Sequence, residues 1–440
     1  MRVSFYTLGC KLNQSETEAL AFAFKAKGLE IVDHSEKVDL SVINTCTVTS
    51  KSEQKARRMI RQISGDNPDA LVVITGCYAQ TNAEDLRSLF PHCLVVPQDQ
   101  KEKLLFLIEY LGSSSFEELP LKEKIGFLHH RLNEQDFRDP FAFHLDHYQF
   151  HARAFLKIQE GCNNFCAYCR VPLARGPSLS LEADEVLKRA VLLESQGYEE
   201  LVITGVNISD YHFKNHDFSW LVGEILKSTR KIRVRLSSLE PDRVLPAWVD
   251  LFAHQRICPH FHVPVQSGSD VVLQKMKRKY RADQVTRVVE MFRSVKNNPF
   301  LGADIILGFP GESDADFEAS YRILEENRFS SLHCFPFSPR PGTAAFNYKP
   351  VIDSRIKTAR VHKVLDLSKK LFSQYQQQWI GKELDIILEN QNGQGLWNGL
   401  SDNYLRVFLQ QAPEGPKKGM LVKTRLLEID AQGQILGRLV

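Results

Sequence analysis

Cys162, Cys166 and Cys169 stand in the spacing C-x3-C-x2-C, inside the run Lys157-Ile158-Gln159-Glu160-Gly161-Cys162-Asn163-Asn164-Phe165-Cys166-Ala167-Tyr168-Cys169. A loop this tight points three thiolates at one small volume, which suits an iron–sulfur cluster held by cysteine sulfur. Three ligands on a four-iron cluster leave one iron free, and an open coordination position means chemistry. A zinc site would need a fourth Cys or His at short spacing, and neither the loop nor the next forty residues contains one. A second set consists of Cys10 in Leu8-Gly9-Cys10, Cys46 in Asn44-Thr45-Cys46 and Cys77 in Thr75-Gly76-Cys77. Each lies just past the carboxyl end of an apolar run that reads as a strand. In an open α/β sheet those ends share one edge, so separations of 36 and 31 residues can close to a few ångströms. This predicts a second cysteine-bound cluster.

The elements that must position these cysteines are legible as periodicity. Arg2 to Leu8, Asp39 to Thr45 and Leu71 to Thr75 read as strands. Ser15 to Lys27, Lys51 to Ile63 and a segment after Gln80 read as helices, which argues a small parallel α/β sheet. Residues 113–150 lack a sustained period and read as a linker with one short helix. Its histidines, His129, His130, His144 and His147, with His151 just beyond it, match no metal spacing and read as polar surface. From 154 to 343 strand and helix alternate six times, with strands at 154–160, 200–205, 232–239, 260–266, 301–308 and 329–337. Helices fall near 182–196, 217–228, 243–253, 269–278 with 281–296, and 314–327. Six such units fit an open, partial (β/α)6 barrel whose first strand delivers the C-x3-C-x2-C loop to the face where barrel active sites sit. Residues 354–379 form a long basic helix, and five short strand-like runs after Gly381 read as a small antiparallel β-barrel.

Composition narrows the setting. With 43% apolar and 25% charged residues over 440 positions, the chain is an ordinary globular one. A net charge of +3 leaves any nucleic-acid surface local; basic runs lie at Lys51 to Arg61, Lys275 to Arg281 and Arg355 to Lys370, while 381–440 is balanced in charge. No apolar run approaches the roughly 18 residues of a membrane span, so no membrane association is expected. Nine cysteines in a chain with no evident export signal favour a reducing, cytoplasmic setting and metal ligation over disulfides.

The C-x3-C-x2-C spacing with Tyr168 before its last cysteine resembles the signature of the radical S-adenosylmethionine superfamily. Taken whole, the chain resembles the methylthiotransferases, whose order is a cysteine-bearing α/β domain, a radical S-adenosylmethionine (radical-SAM) barrel and a TRAM barrel. On that pattern residues 1–112 are the N-terminal domain, 113–150 the linker, 151–380 the radical-SAM partial barrel and 381–440 the TRAM domain. The motifs Thr7-Leu8-Gly9-Cys10-Lys11-Leu12-Asn13-Gln14, Asn44-Thr45-Cys46-Thr47-Val48-Thr49 and Gly76-Cys77-Tyr78-Ala79-Gln80 look like the branch that modifies N6-threonylcarbamoyladenosine in tRNA. The isopentenyladenosine branch typically has Gln-Met after the first cysteine and the ribosomal-protein branch Pro-Lys, where this chain has Lys11-Leu12. The run from Pro336 to Thr343 also matches.

The resemblance implies that Cys10, Cys46 and Cys77 hold an auxiliary 4Fe-4S cluster that carries or supplies sulfur, and that Cys162, Cys166 and Cys169 hold the 4Fe-4S cluster that cleaves S-adenosylmethionine. It places Tyr168 beside the adenine of that cofactor, Gly205 near its methionine moiety, and Ser238 and Glu240 near its ribose. It names no catalytic side chain beyond these. Methyl transfer to sulfur, reductive cleavage of a second cofactor and radical substitution at adenine C2 follow as the implied chemistry, with the anticodon stem-loop of tRNA as partner and flavodoxin or ferredoxin as electron donor. Two departures stand out: Arg170 occupies a position usually aliphatic, and Pro177-Ser178-Leu179 replaces the basic residues expected after Arg175-Gly176. The rival readings are the same chemistry on isopentenyladenosine or on a ribosomal-protein aspartate, and, from another class, a cluster-containing RNA-binding sensor.

Overall fold

The computed structural model describes residues 1–33, 36–111, 116, 118–134, 138–143, 151–393 and 395–440. Five strands, β1 (Arg2–Thr7), β2 (Glu30–Ile31), β3 (Leu40–Thr45), β4 (Leu71–Gly76) and β5 (Cys93–Val95), form one parallel sheet in the order β2-β1-β3-β4-β5. Every residue of β3 and β4 is buried, as continuous apolar runs covered on both faces must be. The helices between them are α1 (Lys11–Ala26), α2 (Ser50–Asp66), α3 (Cys77–Thr81) and α4 (Ala83–Leu89). Helix α1 starts at Lys11, directly after Cys10 and four residues before the start expected from the apolar period, with Leu12 and Asn13 of its first turn buried.

The segment expected as a linker contains a 14-residue helix, Leu121–Glu134. Leu128 and Leu132 bury one side of it in the main core. Two of every three or four residues on such a helix are polar, so its period is weak in the sequence and its order comes from packing. His129 and His130 are on its exposed side, and His151 contacts Glu18; His144 and His147 lie outside the described residues.

Six parallel strands follow: β6 (Ala154–Lys157), β7 (Glu200–Thr204), β8 (Arg233–Leu236), β9 (His260–Gln266), β10 (Phe300–Leu307) and β11 (Ser331–Pro336). They form two three-stranded sheets, β8-β7-β6 and β9-β10-β11, joined by single parallel bridges Val234–Ile257 and Ser238–His262. The result is an open arc of six strands in chain order with helices outside it. One hydrophobic cluster runs from Val3 through Leu156 and Phe261 to Leu371, so sheet and arc share a core.

The last five strands, β12 (Glu383–Gln391), β13 (Trp397–Ser401), β14 (Arg406–Leu409), β15 (Leu421–Ile429) and β16 (Ile435–Leu439), close into a barrel in the order β12-β13-β14-β16-β15. Phe300 seats it on the arc, meeting Tyr375 edge-on at 90° and Tyr404 at a tilt of 60°. So does Arg235, fully buried, which holds Glu200 at 2.6 Å and donates to the backbone of Ser401 and Asp402. Among the described residues no helix is long and apolar enough to cross a membrane.

Candidate active site between the two cysteine triads

Each cysteine of the first triad sits where a strand gives way to a helix. Cys10 caps α1, Cys46 follows β3, and Cys77 opens α3 after β4. Gly9 has φ +105°, and a Cβ there would lie 2.8 Å from Cys46 Cβ, so only glycine lets these two loops close on each other. Asn13 ties them, donating to Leu8 O at 2.8 Å and Thr45 O at 3.1 Å.

The second triad is in the loop after β6. Backbone N–H groups of Asn164 and Val171 point at Cys162 and Cys169 sulfur at 3.5 and 3.4 Å, and Arg278 Nη1 lies 3.1 Å from Cys166 Sγ. Gly161, with φ +67°, passes so close to the following turn that an added Cβ would be 1.9 Å from Pro177 O. Gly161→Ala is therefore expected to cost about 1–3 kcal/mol locally and to lower the iron retained at this loop, while leaving that at the first triad. Iron content measured in parallel with cofactor cleavage checks this; full iron and full cleavage would show that the turn can move aside.

All nine cysteines are free thiols. Burial pushes Cys46 up to about 11 and Cys169 up to about 12, with neighbouring thiols adding to both shifts; burial also raises Cys77 and Cys162. As bare thiols these groups resist ionisation, so a cation held among them is what would make them thiolates. Neither triad gathers its sulfurs within 4.8 Å of one another. A single tetrahedral zinc with bonds of about 2.3 Å needs sulfurs roughly 3.8 Å apart. The donor chemistry and the spread thus fit a cluster and not a single zinc.

The triads face one cavity of about 200 Å³, lined by Cys77 from the first and by Tyr168 and Cys169 from the second. Thr47, Val48, Arg170, Val171, Gln266, Asp304, Ile306, Phe335 and Phe337 complete much of its wall. A larger cavity of about 400 Å³, beside Phe5, Glu18 and His151, contains none of the cysteines. Chemistry, not size, selects the smaller one.

Of the other expected site residues, Tyr168 is in the cavity wall and within electrostatic reach of Arg278 and Tyr280. Gly205, Ser238 and Glu240 are not in that wall; they cap β7 and β8. Gly205 abuts Gln159 at the base of the cysteine loop, where a Cβ would lie 2.9 Å from Gln159 O. Ser238 bridges to His262, and Glu240 pairs with Arg278, the arginine on Cys166. Burial raises the Glu240 carboxyl to about 7, against the pull of Arg278.

Several groups here are not apparent from the sequence. Arg175 donates to Cys77 Sγ at 3.3 Å, Glu16 at 2.9 Å, Glu160 at 2.8 Å and Asn13 at 2.7 Å, joining the first triad's sheet to the second triad's loop. Lys101 and Lys157 complete this buried set on Glu16 at 2.6 and 3.1 Å. Inside the arc His262 and His333 each hold one oxygen of Asp304, at 3.0 and 3.1 Å, which keeps that carboxyl well below its usual range despite burial. The period-2 alternation of β10, with Leu301, Ala303, Ile305 and Leu307 outward, is the one signal that could have placed Asp304 inward.

Comparison with known proteins agrees with this architecture. Residues 2–97 match the model described as Uncharacterized protein family UPF0004, and residues 156–324 match that of the Radical SAM superfamily. A solved structure of the radical S-adenosylmethionine methyltransferase TsrM from Kitasatospora setae, with cobalamin and a 4Fe-4S cluster bound, superposes with a TM-score of 0.51 at 15% identity, over 78% of this chain and 77% of that one. That likeness is one of fold. Fold, cysteine loop and family match define a radical S-adenosylmethionine protein.

Sequence relatives sharpen the class. The threonylcarbamoyladenosine tRNA methylthiotransferase MtaB of Treponema pallidum (strain Nichols) is 38% identical over 475 residues, covering 96% of this chain and 98% of its own. That of Bacillus subtilis (strain 168) is 35% identical, covering 97% and 94%. The tRNA-2-methylthio-N(6)-dimethylallyladenosine synthase of Dictyoglomus thermophilum is 32% identical, covering 95% and 94%. The chain belongs to the methylthiotransferase family of radical S-adenosylmethionine enzymes, whose cofactors are S-adenosylmethionine and two 4Fe-4S clusters.

Proposed function

We propose that the chain installs a methylthio group at C2 of N6-threonylcarbamoyladenosine, at the adenosine immediately 3′ of the tRNA anticodon, giving 2-methylthio-N6-threonylcarbamoyladenosine. The observation that carries this reading is the single cavity that takes a cysteine from each triad. The choice of branch rests on Lys11-Leu12 after Cys10 and on the names of the relatives with the higher identities.

In this reading Cys10, Cys46 and Cys77 ligate the auxiliary cluster and Cys162, Cys166 and Cys169 the cofactor-cleaving one. Tyr168, Gly205, Ser238 and Glu240 contact S-adenosylmethionine, and residues 1–112, 151–380 and 381–440 act as the three functional units, with 113–150 connecting the first two. An aromatic C–H has neither an acidic proton nor a leaving group, and the bound clusters and cofactor supply the one-electron chemistry that replaces it. The protein's own part is orientation and exclusion of water. Arg278 and Arg175 place guanidinium donors on Cys166 and Cys77. Ile306, Phe335 and Phe337 give the base an apolar wall. Lys51, Lys55 and Arg58 share an exposed side of α2, which starts at the cavity rim, and are suited to phosphates of the single-stranded anticodon loop. An unpaired base there can be turned into a pocket at modest cost. The closed C-terminal barrel supplies further RNA contact, a flavodoxin or ferredoxin the electrons, and the cytoplasm the setting.

Anaerobic reconstitution tests the enzymatic reading against a cluster-bearing RNA-binding sensor. The expected result is about eight irons per chain, from two four-iron clusters, and release of 5′-deoxyadenosine on reduction with S-adenosylmethionine. Full iron loading without any consumption of cofactor would favour the sensor.

A further inference from the structure

Arg170 is the residue that departs from the aliphatic side chain expected beside Cys169. It is 8% exposed and lines the cavity shared by the triads. Its Nη1 lies 3.1 Å from Glu53 Oε1 and 3.3 Å from Thr47 Oγ1, and both Nη atoms are 3.3 Å from Asn82 Oδ1. Arg340, 3% exposed, holds the same Glu53 oxygen, together with Thr47 at 3.2 Å and Ser50 at 2.9 Å. Two guanidiniums therefore share one carboxylate. Among the described residues no second acid pairs with either, so these side-chain pairs leave one positive charge over at the wall of a partly open cavity. The Nε–H groups of both arginines are buried without a partner. Burying a charge uncompensated is costly, and a site that keeps one is matched to an anion that arrives.

This bears on what the cavity accepts, and the argument rests on the proposed threonylcarbamoyl reading. A threonylcarbamoyl group on N6 ends in a carboxylate; an isopentenyl group is neutral and apolar. We propose that Arg170, braced by Glu53 and Asn82, receives the carboxylate of the threonylcarbamoyl group, and that Arg340 keeps Glu53 occupied so that Arg170 has charge to offer. The apolar wall suits the base of either substrate; the surplus guanidinium charge distinguishes them. Arg170 is a specificity residue and takes no part in cofactor cleavage.

The test uses the reconstituted full chain and three synthetic anticodon stem-loops, carrying N6-threonylcarbamoyladenosine, its methyl ester or isopentenyladenosine. The ester keeps the shape and removes the charge. Kd is measured by fluorescence anisotropy for the wild type, Arg170→Gln and Arg170→Lys. A charge-assisted hydrogen bond predicts about 10- to 100-fold tighter binding of acid over ester by the wild type. Arg170→Gln should bring the acid to the level of the ester, and Arg170→Lys should restore part of the preference. Equal binding of acid and ester by the wild type overturns the proposal without any variant, which keeps it exposed even if Arg170→Gln fails to fold. A preference kept intact in Arg170→Gln assigns the carboxylate to another cation and overturns it too, with the threonylcarbamoyl reading left standing. Wild-type preference for the isopentenyl loop over both others overturns that reading and this proposal together.

Discussion

Alanine at Cys10, Cys46 and Cys77 together is expected to remove roughly half the iron, for one of two four-iron sites, and to abolish methylthiolated RNA while release of 5′-deoxyadenosine continues. Alanine at Cys162, Cys166 and Cys169 is expected to remove the other half and to abolish cofactor cleavage altogether. The asymmetry follows from placement. The first triad is carried by the ends of β3, β4 and the β1–α1 turn, and the second by one loop after β6. The side chains that link them include Arg175, which touches Cys77 but no sulfur of the second triad, and Arg170, which reaches Thr47 and Glu53. Thiolate ligation also holds folds together, so each variant is first checked for solubility and RNA binding. Methylthiolated product from the first variant would deny that triad any required part in sulfur delivery.

Glu16→Gln is expected to destabilise the chain by about 3–5 kcal/mol, the scale for removing one partner from a buried ion pair. Glu16 is fully buried and accepts from Lys101, Lys157 and Arg175. With Glu160 it makes two acids against three bases, so its loss leaves three buried cations facing one carboxylate. Burial alone would raise the Glu16 carboxyl, but the three cations, Arg175 first, hold it well below 4.5. A carboxyl depressed by folding adds stability that is present above the unfolded value and lost as pH falls through the folded one. Chemical denaturation should thus show the full gap between wild type and variant above about pH 4.5, narrowing under stronger acid. Arg175→Met, which leaves two acids opposite two lysines, should cost less. Equal stability of wild type and Glu16→Gln at neutral pH would mean that water or rearranged side chains already satisfy this cluster.

The repeat of strand and helix, and the cysteines at strand ends, were open to sequence reasoning because each is a local pattern. Strand ends were reached to within a few residues from β6 to β11, since buried strands and amphipathic helices carry their own periods. What stayed hidden were partnerships across distance. Glu16 and Arg175 are 159 residues apart, and Glu53 and Arg340 are 287 apart. In the sequence each is an ordinary polar residue with nothing local to mark its partner. Two residues within the basic runs were hidden for the same reason. Arg278 in Lys275 to Arg281 turns inward to Cys166 and Glu240, and Arg360 in the long helix Ser354–Gln377 is buried on Glu312. Arg235, in a strand that alternates basic and apolar residues, binds the C-terminal barrel to the arc through the backbone of Ser401 and Asp402. The turn at Pro177-Ser178-Leu179, which lacks the expected basic residues, packs against Gly161 and supports the cysteine loop.

The central claim, methylthiolation of threonylcarbamoyladenosine in tRNA, is tested most directly by mass spectrometry of tRNA nucleosides from otherwise identical cells with and without this protein. The account predicts 2-methylthio-N6-threonylcarbamoyladenosine only when the protein is present, with unmodified N6-threonylcarbamoyladenosine accumulating when it is absent. Persistence of that methylthio nucleoside without the protein, together with loss of the isopentenyl analogue or of a ribosomal-protein methylthio mark, would contradict it.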